Sequence, residues 1–173
     1  MSQGIKQFIL CVLMALSIFS ASANAEGIKL KSADLERVDG DWLLNATFQI
    51  ELTPGLEDAV QKGVVLYFQT EFDVTRSRWY WLDEKSALAQ RLTRLSYQPM
   101  TQQYRIASEG FTFSAKTMFE ALQAVGSIGG WRVIDGNQID SSKSYIAALR
   151  MTLDLSKLPK PFKVNALNNR DWN

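Results

Sequence analysis

Few side chains in this sequence are of the types that do chemistry, and their spacing separates reaction from recognition. Histidine is absent from all 173 residues and the one cysteine is Cys11. Ser-His-Asp and Cys-His catalysis, the commonest zinc sites and a histidine pH switch are thereby excluded. No G-x-G-x-x-G, G-x-x-x-x-G-K-[ST], S-x-x-K or EF-hand ligand pattern occurs. Asp83 and Glu84 are adjacent carboxylates, and glycoside hydrolysis needs two carboxylates facing each other across a cleft. Sequence neighbours at a strand end point apart, so a solvated turn is the preferred reading. Asp39 and Asp41 offer calcium-type oxygens without the further ligands calcium requires, and a turn accounts for them as well. Neither a metal nor an organic cofactor is expected.

Recognition has better candidates. Trp79, Tyr80 and Trp81 would make an aromatic platform for a sugar, peptide or lipid, with Arg76 and Arg78 adding charge or stacking. Packing into a core or on a sheet is the competing and preferred account of most of this cluster. It cannot hold for all three rings, because alternate residues of a strand point to opposite faces. Tyr67 belongs with this group, and the expected interaction face is Tyr67, Arg78, Trp79, Tyr80 and Trp81. Arg91, Arg94 and Arg105 offer sites for an anionic ligand or lipid, against a plainer reading as screened surface pairs. Lys157, Lys160 and Lys163 flank a proline-rich segment, where charge protects an exposed edge from aggregation. Asn45-Ala46-Thr47 matches a glycosylation sequon inside a strand, and no role is assigned to it.

The compartment is set by residues 1–25. Lys6 supplies a positive start, Phe8 to Phe19 form an apolar run broken only by Ser17, and Ala23-Asn24-Ala25 places small residues where a signal peptidase cuts. Cleavage between Ala25 and Glu26 is expected, giving a periplasmic or secreted protein. The run is about 12 residues, short of the roughly 20 that span a hydrocarbon core, so no stable membrane anchor is expected after cleavage. Cys11 lies inside the run without a lipobox, and its removal leaves a domain free of thiols and disulfides. What remains is 148 residues with 18 basic and 18 acidic side chains. That length suits one domain with its own core, residues 26–173, and zero net charge removes the usual electrostatic warrant for a nucleic-acid partner.

The elements follow from periodicity. Leu44, Ala46, Phe48, Ile50 and Leu52 alternate with polar residues, giving a half-buried strand. Asp39-Gly40 between Ile28–Val38 and Trp42 predicts a tight hairpin turn. Thr53-Pro54 and Gly63 bracket a short helix. Residues 64–74 read as the clearest strand, with Leu66, Phe68, Thr70, Phe72 and Val74 facing one way. Residues 76–82 are expected to form a strand. Leu88, Leu92 and Leu95 fit a helical stripe, but Pro99 near a turn favours a strand in the second half of 88–97, pairing with 104–107. Ser114 is expected to cap the longest helix, 115–125, with Met118, Phe119, Leu122 and Val125 on its apolar face and Gly126 at its exit. Gly129-Gly130 reads as loop, 131–134 and 145–155 as strands, and 157–163 as an extended tail because of Pro159 and Pro161. The set predicts an α+β domain, mainly antiparallel and sandwich-like or curved, with one longer and one short helix. A small closed β-barrel is the alternative.

The blocks Leu66-Tyr67-Phe68, Arg78-Trp79-Tyr80-Trp81, Leu95-Ser96-Tyr97, Gln103-Tyr104-Arg105, Gly130-Trp131-Arg132-Val133, Leu158-Pro159-Lys160-Pro161-Phe162, Val164-Asn165-Ala166-Leu167 and Arg170-Asp171-Trp172 occur in an order that resembles the bacterial domain of unknown function 4390. That family carries no assigned activity, so the resemblance supplies no catalytic residue. It implies a proteobacterial exported protein, often encoded beside a sensor histidine kinase of the nitrogen-regulation type. It also implies a further terminal strand following the Arg-Asp-Trp block.

Together these features predict a non-enzymatic binding or accessory module of the cell envelope, with a protein partner such as the ectodomain of a membrane sensor. A carrier for a small apolar ligand is the alternative and requires an enclosed cavity lined from 64–74 and 145–155. A hydrolase stands third and requires converging carboxylates.

Overall fold

The computed structural model describes residues 27–76, 84–136, 138–140 and 143–167, with the side chains of 84–86 and 164–167 left aside. The chain opens with β1 (Gly27–Val38) and β2 (Asp41–Glu51), paired antiparallel from Gly27↔Glu51 to Val38↔Asp41. Asp39 and Gly40 join them at φ 52° and 96°, the two positive values that a hairpin turn matching strand twist requires. Leu44, Ala46, Phe48 and Ile50 of β2 are buried, as their alternation predicts. Helix α1 (Pro54–Gln61) follows at once. The Thr53 hydroxyl accepts from the Leu56 N–H at 3.3 Å, and Leu56, Ala59 and Val60 turn inward.

A meander comes next: β3 (Leu66–Arg76), β4 (Glu84–Gln98), β5 (Gln103–Ser108) and β6 (Phe111–Ala115). Helix α2 (Met118–Gly126) returns the chain to the first sheet, where β7 (Ser127–Ile134) pairs with β2, and β8 (Ile146–Leu153) pairs with β3 in the second. The result is a three-stranded sheet, β1-β2-β7, packed on a five-stranded sheet, β6-β5-β4-β3-β8. Their facing side chains, among them Leu44, Phe48, Leu66, Phe68, Phe72, Leu95 and Ile106, form one core. The fold is an α+β sandwich of antiparallel strands, and the described strands close no barrel.

Four local expectations are corrected. Residues 88–97 are strand throughout within β4, with Leu95 buried and Leu88 exposed, so the leucines divide between two faces. Gly129-Gly130 lies within β7 rather than in a loop. Helix α2 is capped by Thr117, not Ser114, because residues 111–115 continue the meander as β6. Thr117 Oγ1 accepts from the Glu120 N–H at 3.2 Å while Glu120 accepts from the Thr117 N–H, a reciprocal capping box. Phe119, expected on the apolar face, is 69% exposed, and Ala121, Leu122 and Val125 carry the packing.

A further correction concerns the tail. Residues 155–157 form a 3₁₀ turn and α3 (Lys160–Leu167) is a third helix, where an extended segment was expected. Pro161 sits in the first turn, where a helix does not need its N–H, and Pro159 O accepts from the Phe162 and Lys163 N–H groups. α3 packs against α1 and Leu158 just before it is buried, so tertiary contact stabilises a segment whose prolines alone suggested an edge.

Candidate functional site

The outward side of the five-stranded sheet gathers the strongest constellation. Alternation in β3 sends Phe68 and Thr70 to the core and leaves Tyr67, Gln69 and Glu71 on the outer face. Register places Arg94 opposite Tyr67, and Arg105 opposite Ser96 one strand further on. Arg94 and Arg105 are exposed, and neither forms an ion pair with an acid among the described residues. Around them lies an open hollow of about 310 Å³ lined by Val65, Tyr67, Arg94, Ser96, Gln98 and Arg105.

Lys157 adds a third cation from the 3₁₀ turn, its Nζ 4.5 Å from the centroid of the Tyr67 ring. The turn is tied to β3 where the Asp154 N–H donates to Tyr67 O at 2.7 Å. Asp154 Oδ1 accepts from the Ser156 N–H at 3.0 Å, and Oδ2 lies 3.3 Å from Lys157 Nζ. The Ser156 hydroxyl bond is the chief reason the Asp154 carboxyl is held below its ordinary value, against the opposing effect of burial. Lys157 is thus shared between a carboxylate and an aromatic face.

The other part of this sheet face is neutralised within itself. Glu71 accepts from Gln69 and Gln90, each at 3.0 Å, and from Arg150 at 2.8 Å. The Arg150 hydrogen bond leads the causes that hold the Glu71 carboxyl below its ordinary range, burial opposing it. Net positive charge therefore concentrates around Tyr67 rather than over the whole sheet.

The remaining expected residues separate. Arg91 does not join Arg94 and Arg105: it pairs in register with inward Thr70, donates from Nε to Ser108 Oγ at 2.9 Å and stacks 4.9 Å from the Phe111 centroid. Desolvation pulls its guanidinium below the ordinary value, with Glu109 opposing. Asp39 occupies the hairpin turn. The Asp41 carboxylate is taken by the Gly136 N–H at 3.0 Å and by Arg132 at 3.2 Å, leaving little for a cation. Among the described residues no group of three His, Cys, Asp or Glu side chains is placed to hold a metal. Lys163 donates to Ser156 O at 2.9 Å and Lys160 opens α3, so these lysines serve a helical corner, not a strand edge. Ala23, Ala25, Glu26, Arg78, Trp79, Tyr80, Trp81 and Asp83 lie outside the described residues, as does the Glu84 side chain. Beyond Arg76, which closes β3, the strand expected over residues 76–82 also lies outside the described residues.

Asn45 was passed over in the sequence, yet its Oδ1 accepts from the Gly130 N–H at 2.8 Å and ties β2 to the irregular part of β7. The signal for it was Gly129-Gly130, which marks a strand that needs a side-chain acceptor where the backbone ladder slips.

The geometry defines an antiparallel sandwich whose five-stranded sheet carries an open, cationic outer face. The chain belongs to the family described as Domain of unknown function (DUF4390), whose model matches residues 25–173. No curated protein and no solved structure matches it.

Proposed function

We propose that this protein is a non-enzymatic recognition module of the cell envelope, engaging an acidic segment of a protein partner through the face around Tyr67, Arg94 and Arg105. The observation that carries the reading is the pair of exposed arginines with no acid in ion-pair reach among the described residues, set on a sheet beside a half-buried tyrosine. An arginine fork matches a carboxylate with two parallel hydrogen bonds, and tyrosine supplies contact area at small entropic cost. Because neighbouring strands fix the spacing, little ordering accompanies binding.

The envelope location rests on the leader-like residues 1–25, and a family match starting at residue 25 accords with it. The ectodomain of a membrane sensor is the partner this reading favours. No helix among the described residues is long and apolar enough to cross a membrane. The carrier alternative has less support: a hollow of about 470 Å³ beside Phe119 and Gln49 is open to the surface rather than enclosed.

The test is photocrosslinking in the source cell from a photoreactive residue placed at Tyr67. A discrete adduct is expected, in which this protein begins at Glu26, and the adduct disappears with Arg94→Glu and Arg105→Glu. An adduct pattern indifferent to both reversals in a folded protein would contradict the reading.

A further inference from the structure

A second exposed feature of the molecule is β1. Among the described residues it is hydrogen-bonded to β2 on one side only, and most of its residues are exposed on the outer and inner faces alike. Its inward residues Leu30, Ala33 and Leu35 overhang a shallow apolar hollow of about 270 Å³, completed by Leu44, Phe72, Ala147 and Leu149. Leu30 is 46% exposed there. An exposed edge this long, with apolar side chains on its inward side, is a template for another strand unless something blocks it.

The order of side chains along β1 specifies which strand. Eleven of its residues pair with β2, and Lys31 is the extra residue of a bulge between Leu30 and Ser32. Ala33 is the central one of those eleven. Lay a second β1 antiparallel beside the first, with the two-fold axis at Ala33, and inward positions meet inward ones along the ladder, Ile28 facing Arg37 near its ends. Inward Leu30 meets Leu35, outward Lys29 meets Glu36, and the bulged pair Lys31-Ser32 meets Asp34. The smallest side chain lies on the axis, opposite its own copy. Moving the axis to Asp34 would instead set two carboxylates face to face.

A bulge disfavours pairing with an arbitrary strand, since one residue falls out of step. A second copy carries the same irregularity, displaced symmetrically to the other side of the axis, so the ladder is interrupted twice and the faces stay in phase. We propose that two copies of this chain associate through antiparallel pairing of their β1 edges, centred on Ala33, joining the three-stranded sheets into one of six strands. The interface is isologous, as a two-fold dimer demands, and each copy's Leu30 and Leu35 cover the other's apolar hollow. It lies on the other sheet from Tyr67, Arg94 and Arg105 and stands independently of the recognition reading.

Cysteine placement tests the register in the full chain carrying Cys11→Ser, which leaves no other thiol. Directly opposed antiparallel residues have Cα atoms about 4.5–5.5 Å apart, within disulfide range. Ala33→Cys is expected to give a disulfide-linked dimer under mild oxidation. Lys29→Cys is not, because its two copies would stand about 20 Å apart along the ladder. Sedimentation equilibrium reads the association itself: Lys29→Glu with Lys31→Glu should weaken it at least tenfold, and adding Asp34→Lys with Glu36→Lys should restore it. All four side chains are exposed, so folding is not at stake, and circular dichroism confirms it. A folded monomer at every concentration, equal crosslinking from positions 29 and 33, or an association indifferent to the charge reversals would overturn the proposal.

Discussion

Thr70 is a polar defect in the core and a sensitive probe of it. The side chain is 1% exposed in the middle of β3, and its hydroxyl finds no hydrogen-bond partner among the described residues. A buried hydroxyl without a partner keeps its desolvation cost and gains nothing in return. Valine has nearly the same shape, so Thr70→Val should raise stability by about 1 kcal/mol and the thermal midpoint by about 2–4 °C. Differential scanning calorimetry checks this, and a fall in the midpoint would mean that the hydroxyl is satisfied. Glu71, one residue along and on the opposite face, carries part of the pH dependence, beside Asp154. Its folded pKa is depressed below the ordinary 4.5, chiefly by Arg150. Its contribution is therefore complete above about pH 4.5 and is lost as pH falls through the depressed folded value. Arg150 is largely exposed, so solvent screening keeps the effect small. Glu71→Gln should destabilise the domain slightly at pH 7 and not at pH 2, a difference that paired urea titrations resolve.

At the scale of elements, the tightest joint is between α2 and β2. Gly126 ends the helix so close to β2 that a Cβ there would stand 2.2 Å from Phe48 O. Backbone cannot yield as a flexible side chain does, so Gly126→Ala should cost about 2–3 kcal/mol, read as a lower denaturation midpoint with an unchanged slope. The glycine was legible in the sequence as a helix exit, but its steric role was not, because nothing local says that Phe48 lies behind it. The same division holds elsewhere. β2, β3, the Asp39-Gly40 turn and the Thr53-Pro54 helix start were all readable, since each depends on alternation or on turn and cap chemistry within a few residues. α3 was not, because its prolines argue locally against regular structure and its packing against α1 comes from about a hundred residues away in sequence. Thr117 was overlooked for a related reason. Residues 111–115 had no strand assigned, so the helix start was placed too early and the Thr117–Glu120 box fell inside it.

Across the whole molecule, each role has a separate place. The filled interior supplies stability, the β1 flank carries the proposed self-complementary edge, and the Tyr67 end of the outer sheet carries Arg94 and Arg105, which pair with no acid among the described residues. Of the proposed recognition face, Tyr67 was legible in the sequence as an interaction residue, and Arg94 and Arg105 separately as anion-binding candidates. The meeting of Tyr67 with Arg94, Arg105 and Lys157 was not legible, because it depends on the β3–β4–β5 register and on a 3₁₀ turn folding back over β3. A chain with balanced overall charge can still bind electrostatically when one end of one sheet holds cations without counter-ions. The most direct measurement is the affinity of the purified protein for the partner captured at Tyr67, titrated against salt and charge. Affinity should fall with rising salt, drop about tenfold or more with Arg94→Glu and Arg105→Glu, and recover when the partner's contacting carboxylates are replaced by lysine. An affinity that ignores salt and survives both reversals in a folded protein would contradict recognition through this face.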